Sequence, residues 1–158
     1  MASKSEALAR QLETEVERAI ATLEPLSEAE WAKVTEAERW PVGVTAHHFA
    51  SALEPISQMI EGMVAGQAGA LTRPMLDEMN AQHAKDHAHC TKGETIALLR
   101  KGAAVAAATI RGLSDEDLMR RGTVLTDLPP MTAEQFITAG LLAHVEEHFG
   151  SIRITVGR

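Results

Sequence analysis

The chain has 158 residues, a formal net charge of −7 at pH 7, 45% hydrophobic residues and 23% charged ones. These proportions suit one globular domain over 1–158 and give no electrostatic footprint for nucleic acid. Cys90 is the lone cysteine, no apolar run reaches membrane-spanning length and the first residues lack a signal-peptide core, so a reducing cytoplasm without a membrane partner is the expected setting.

In chain order, apolar residues at Leu8, Leu12, Val16, Ile20 and Leu23 repeat at three and four and predict a helix from about Ser5 to Leu23, ended by Pro25. Ser27 and Glu30 have capping-box spacing and open a short helix containing Trp31. A second long helix is expected from near Pro41 to about Val64, with an inward stripe of Val44, His48, Ala52, Ile56, Met59 and Met63. Pro55 falls inside it and is expected to cost one hydrogen bond and introduce a kink. A shorter helix follows from Thr72–Pro74 to about His87, carrying Leu76, Met79, Asn80, His83 and His87.

Thr91 and Glu94 cap the third long helix, with Ile96, Leu99, Ala103, Ala106, Ile110 and Leu113 inside. Ser114–Asp117 opens a brief helical turn, and Gly122–Pro130 is a loop with extended backbone expected around Thr123–Leu125. Thr132 and Gln135 cap the last long helix, whose stripe reads Ile137, Leu141, His144, His148 and Ile152. Four long amphipathic helices and short linkers predict an all-α protein, an antiparallel-type four-helix bundle with short additional helices in its connections.

His144 and His148 stand one helical turn apart, with Cβ atoms expected about 5–6 Å from each other, so both imidazoles can reach one divalent ion. A third ligand must come from a facing helix. The period of the second long helix nominates His48 as inward and puts its neighbour His47 at the rim or in solvent, beside Glu54, Gln58 and Glu61. Each histidine alone has an ordinary explanation, a hydrogen-bonded core residue or a surface one; three inward histidines on two helices point to an open, catalytic type of metal site. His144-Val-Glu-Glu147-His148 also matches the inverted zinc-protease pattern, but no acidic ligand follows it, which leaves Glu147 as a solvated or supporting residue. A competing cluster, His83, His87, His89 and Cys90, lies in a strongly polar stretch that reads better as a solvated face, while Asn80 and His83 are candidates for substrate contact at a pocket mouth. Nothing in the sequence argues a depressed pKa for Cys90.

Trp40-Pro-Val-Gly-Val-Thr-Ala-His47-His48-Phe-Ala, followed about a hundred residues later by His144-x-x-x-His148-x-x-x-Ile152, resembles the DinB-like superfamily of metal-dependent enzymes. Met79-Asn80-Ala81 and the Leu-Ser-Asp-Glu-Asp-Leu stretch at 113–118 resemble recurrent features of such chains. The resemblance covers nearly the whole length and implies a DinB-type four-helix bundle, commonly a homodimer. It also implies a divalent ion on three histidines, carried over here to His48, His144 and His148. Relatives include transferases and isomerases that use small cellular thiols. The expected function is therefore a thiol S-transferase or related hydrolase acting on a small molecule, including a low-molecular-weight thiol; no Arg cluster marks an anionic substrate. The alternative is a non-catalytic metal- or ligand-binding stress-response bundle. Zn²⁺ or Ni²⁺ is the expected ion, with Mn²⁺ and Fe²⁺ open, because all-imidazole ligation selects weakly among first-row metals.

Overall fold

The computed structural model of the chain describes residues 2–158. Helix α1 (Lys4–Leu23) starts behind Ser3, whose hydroxyl accepts the Glu6 N–H, and buries Leu12, Val16, Ile20 and Leu23 on one stripe. Ser27 and Glu30 close the predicted capping box of α2 (Glu28–Trp31). Helix α3 (Val42–Val64) has no side-chain cap; Pro41 precedes it, bridged to Val34, and the Val42 N–H reaches the Lys33 carbonyl at 2.7 Å. Pro55 lies on the exposed side, and the helix continues through it. Helix α4 (Arg73–Asp86) is capped by Thr72 and has Pro74 in its first turn, a position where the missing N–H costs nothing.

The Thr91–Glu94 box opens α5 (Lys92–Arg111), and Ser114–Asp117 opens α6 (Asp115–Met119). Extended backbone forms at β1 (Arg121–Gly122) and β2 (Met131–Thr132), an antiparallel pair, rather than at Thr123–Leu125. The ladder closes the loop at its base, which frees Val124 and Leu125 to pack inward instead of pairing. Thr132 and Gln135 then cap α7 (Ala133–Ile137), which runs through a π-helical turn (Thr138–Leu142) into α8 (Ala143–Val156).

Four long units pack around one core. Helix α1 touches α5 and α8, and α3 touches the same two, so α1 and α3 face each other across a diagonal and the winding is not simply neighbour to neighbour. Phe49 and Phe149 meet edge to face at the centre, 6.1 Å between rings, an arrangement their quadrupoles favour. Leu12, Ile20, Leu53, Leu99, Ile110, Ile137 and Leu141 are fully buried around them. Each such side chain contributes about 1.5–3 kcal/mol by leaving water. Gly102 sets the closest approach of α5 to α3: a Cβ there would lie 2.7 Å from Leu53 Cβ. No described helix is long and apolar enough to cross a membrane.

Candidate metal centre

Helix α3 carries two apolar faces, not one. Its core face is Phe49, Leu53 and Ile60, each without solvent exposure. The stripe that periodicity predicts as core is divided: Val44 and Met63 are buried, whereas His48, Ala52, Ile56 and Met59 are half-buried. Those four line a cavity of about 390 Å³, closed on other sides by Leu76 and Met79 of α4, Val124 and Leu125 of the loop, and Phe136, Gly140 and His144. A periodic stripe shows that a face is apolar; whether a neighbour fills the space in front of it is a tertiary matter.

At one end of this cavity α3 and α8 bring His48, His144 and His148 together. Each offers a ring nitrogen, and these atoms all lie within 4.8 Å of one another. The His48 ring stands nearly perpendicular to its two partners, with centroids 5.4 Å from His144 and 5.0 Å from His148. Trp40 packs against His48 with ring centroids 5.3 Å apart. The α8 pair does not continue the stripe of Ile137 and Leu141, as a uniform helix would have it. After the π-turn the core stripe is Leu141, Val145, Phe149 and Ile152, and His144 and His148 flank it, half-buried, turned toward α3. Single-turn π segments often mark functional positions, and this one immediately precedes the first of the pair.

Each α8 histidine has one ring nitrogen committed. His144 Nδ1 lies 3.1 Å from the Gly140 carbonyl, and His148 Nδ1 lies 3.0 Å from a Glu38 carboxylate oxygen. A carbonyl and a carboxylate can only accept, so both Nδ1 atoms carry the proton, and in the neutral rings Nε2 is left with a bare lone pair. That is the tautomer a metal requires, fixed from behind by an outer partner. Glu38 is itself held by Ser151, whose hydroxyl donates to its other oxygen at 2.7 Å. Burial pushes the Glu38 carboxyl up, but hydrogen bonds led by the Ser151 hydroxyl outweigh this and hold it below the usual carboxylate range. It therefore stays ionised, as an acceptor must.

Glu38 was not foreseen. Glu147, the acid inside the His144–His148 interval, is exposed; it adjoins His148 in sequence and lies about 100° around the helix from it. Glu38 arrives from the loop between α2 and α3, 110 residues away in sequence. That loop is shaped by Arg39, a non-glycine residue at φ 62°, a conformation that costs about 1–2 kcal/mol. It is closed by the Thr35 N–H on the Trp40 carbonyl at 2.8 Å. Its nearness to the Trp40 motif is the only sequence signal that could have flagged it.

The donor set fits a divalent cation. Desolvation, followed by the neighbouring histidines, lowers the His48 pKa to about 3; desolvation, then His148, lowers that of His144 to about 4. Both rings are neutral at pH 7 and able to ligate. Three imidazoles would leave coordination positions for other groups, and the cavity lined by His48 and His144 contains no carboxylate, lysine or arginine among the described residues.

His47 is the clear correction. Predicted at the rim or in solvent, it is 8% exposed and packs with His83 of α4 and with His87 just past its end, ring centroids 5.1 and 4.2 Å away. Periodicity was right for Gln58 and Glu61 farther along the same face, which are exposed; α4 covers only the near end. The competing cluster is thus split. His83 and His87 join His47, while His89 is exposed and Cys90 belongs to another contact, its carbonyl accepting the Trp31 indole N–H at 3.0 Å. Burial pushes the Cys90 thiol pKa up, against any nucleophilic role. Asn80 and His83 both line the cavity, on its α4 side.

No curated protein matches the chain. The sequence pattern of the DinB superfamily, by contrast, matches residues 11–152, a span that takes in all three histidines, the Trp40 motif and every long helix except the first turns of α1 and the end of α8. The chain belongs to the DinB superfamily.

Proposed function

We propose that this protein is a metal-dependent enzyme in which His48, His144 and His148 hold a divalent ion, Zn²⁺ or Ni²⁺ in the first instance, and the adjoining cavity takes a small, mostly apolar molecule. The reaction class is thiol S-transfer or a related hydrolysis. The observation that carries this is the commitment of both α8 Nδ1 atoms, to Gly140 and to Glu38, which leaves two Nε2 lone pairs beside His48.

A divalent ion on such ligands lowers the pKa of a bound thiol or water and so supplies a nucleophile near neutral pH. The chain's own residues do the remainder. Glu38 and the Gly140 carbonyl keep the two rings in one tautomer and orientation. Ile56, Met59, Leu76 and Phe136 exclude water and receive the apolar body of a substrate. Asn80, with an amide that both donates and accepts, can orient a polar end at the α4 wall. With no cation in the lining, an uncharged substrate is favoured over a dicarboxylate thiol.

The test is to load the metal-stripped protein with Zn²⁺, Ni²⁺ or Mn²⁺ and assay a panel of small thiols against apolar electrophiles, with apolar esters in parallel. Turnover that His144→Ala abolishes supports the proposal. Tight metal binding with no turnover across the panel would favour the non-catalytic alternative.

A further inference from the structure

Beside the centre just described lies a second histidine trio. His47, His83 and His87 each offer a ring nitrogen, again all within 4.8 Å of one another. His47 comes from α3, adjacent in sequence to His48, while His83 and His87 stand one turn apart at the end of α4. The two trios abut, with the His48 and His83 rings 5.6 Å apart.

Three observations mark this trio as more than packing. His47 stacks on His83 and His87 at interplanar angles of 27° and 23°, those two rings are tilted by 34° to each other, and His47 Nδ1 is 2.8 Å from His83 Nε2. Only one of those two atoms can carry the proton, so the other presents its lone pair inside the cluster. His83 Nδ1 is buried and has no hydrogen-bond partner in the protein, and a buried polar nitrogen of that kind calls for one. Finally, α4 has no buried residue, and Met75 and Met79 on it are 48% and 58% exposed. A helix with so little apolar anchorage needs another fastening.

We propose that His47, His83 and His87 form a second divalent-cation site, one that fastens α4 to α3 and thereby fixes the outer wall of the cavity. Neutral imidazoles select a borderline transition ion, Zn²⁺ or Ni²⁺, over Mg²⁺ or Ca²⁺. A cation here would take the place of the proton shared by His47 Nδ1 and His83 Nε2, with His87 as the third ligand. The site owes nothing to the metal reading of His48, His144 and His148, and it stands if that reading falls.

The experiment is calorimetric titration of metal-stripped, full-length protein with Zn²⁺, compared among wild type, His87→Ala, His148→Ala and His89→Ala. His87 is half-buried at the end of α4, so its loss should leave the bundle folded, which circular dichroism checks; His83→Asn gives a second, more conservative variant. Wild type should take up one equivalent more than His87→Ala, and His83→Asn should lose the same equivalent. His148→Ala should keep it, and His89→Ala should match wild type. Zinc should also slow amide exchange across α4 in wild type and in His148→Ala, but not in His87→Ala. Equal stoichiometry in wild type and His87→Ala would overturn the proposal, as would a single equivalent abolished by either His87→Ala or His148→Ala, which would mean one shared site. A single equivalent lost in His87→Ala and retained in His148→Ala would support this site and sink the other.

Discussion

The two histidine trios begin at neighbouring residues of one helix, yet they are built differently. His48, His144 and His148 sit on α3 and α8, both rooted in the core through Phe49 and Phe149, and two of the three rings are oriented by groups outside the trio. His47, His83 and His87 depend on α4, which has no buried residue, and their polar contact is with one another. Similar spacing and equal ligand count therefore go with one trio whose α8 rings are fixed from outside and one whose polar contact is internal. Ligand number sets what a site can hold; outer partners set how much of the binding energy survives.

The sharpest way to break this contrast is to remove a ligand. His148→Ala or His144→Ala should weaken Zn²⁺ binding at the α3–α8 site by more than about 100-fold, beyond the ~10–100-fold typical of an outer partner. Competition with a chromophoric chelator measures this, and an unchanged affinity would remove the pair from the site. Next in size is Glu38→Gln, which keeps the shape but loses the charge that fixes the His148 tautomer; a loss of about 10–100-fold is expected. Glu147→Gln, one residue from His148 but exposed, should leave the same titration unmoved. If the two glutamates traded behaviours, the outer partner would have been misassigned.

A separate effect belongs to metal-free protein and concerns pH. His48, His144 and His83 are held neutral by burial, with pKa values of about 3, 4 and 4 against an ordinary 6.5. Between those limits the unfolded chain binds more protons than the folded one, so stability should be full above about pH 6.5 and fall as pH drops toward 4. Thermal unfolding of chelator-treated protein across that window should show the decline, and His144→Asn should flatten it. A midpoint that rose on acidification would contradict the neutral assignment.

Much of the fold was legible because helix signals are local. Three capping pairs, Ser27–Glu30, Thr91–Glu94 and Thr132–Gln135, open the helices they predict, and the apolar stripes of α1 and α5 are buried as read except at Leu8, Ile96 and Leu113, which are half-buried. The convergence of His48 with His144 and His148 was legible in part, since the one-turn spacing of the α8 pair and the place of His48 on the half-buried stripe of α3 are both local. What escaped depended on elements remote in sequence. Periodicity could not see α4 lying over His47, nor distinguish the filled space before Leu53 from the cavity before Ile56. It assumed a uniform last helix, whereas the π-turn at Thr138–Leu142 re-phases everything after it. Glu38 escaped because a loop acid has no period, and its role exists only once α8 is packed beside it.

The most direct test of the metal centre is anomalous diffraction from crystals grown with Zn²⁺, recorded on both sides of the zinc edge. A peak is expected about 2.0–2.1 Å from Nε2 of His144 and of His148 and from one ring nitrogen of His48, with Glu38 still on the far side of the His148 ring. Density at the His47, His83 and His87 trio alone, with none at His48, His144 and His148, would contradict it.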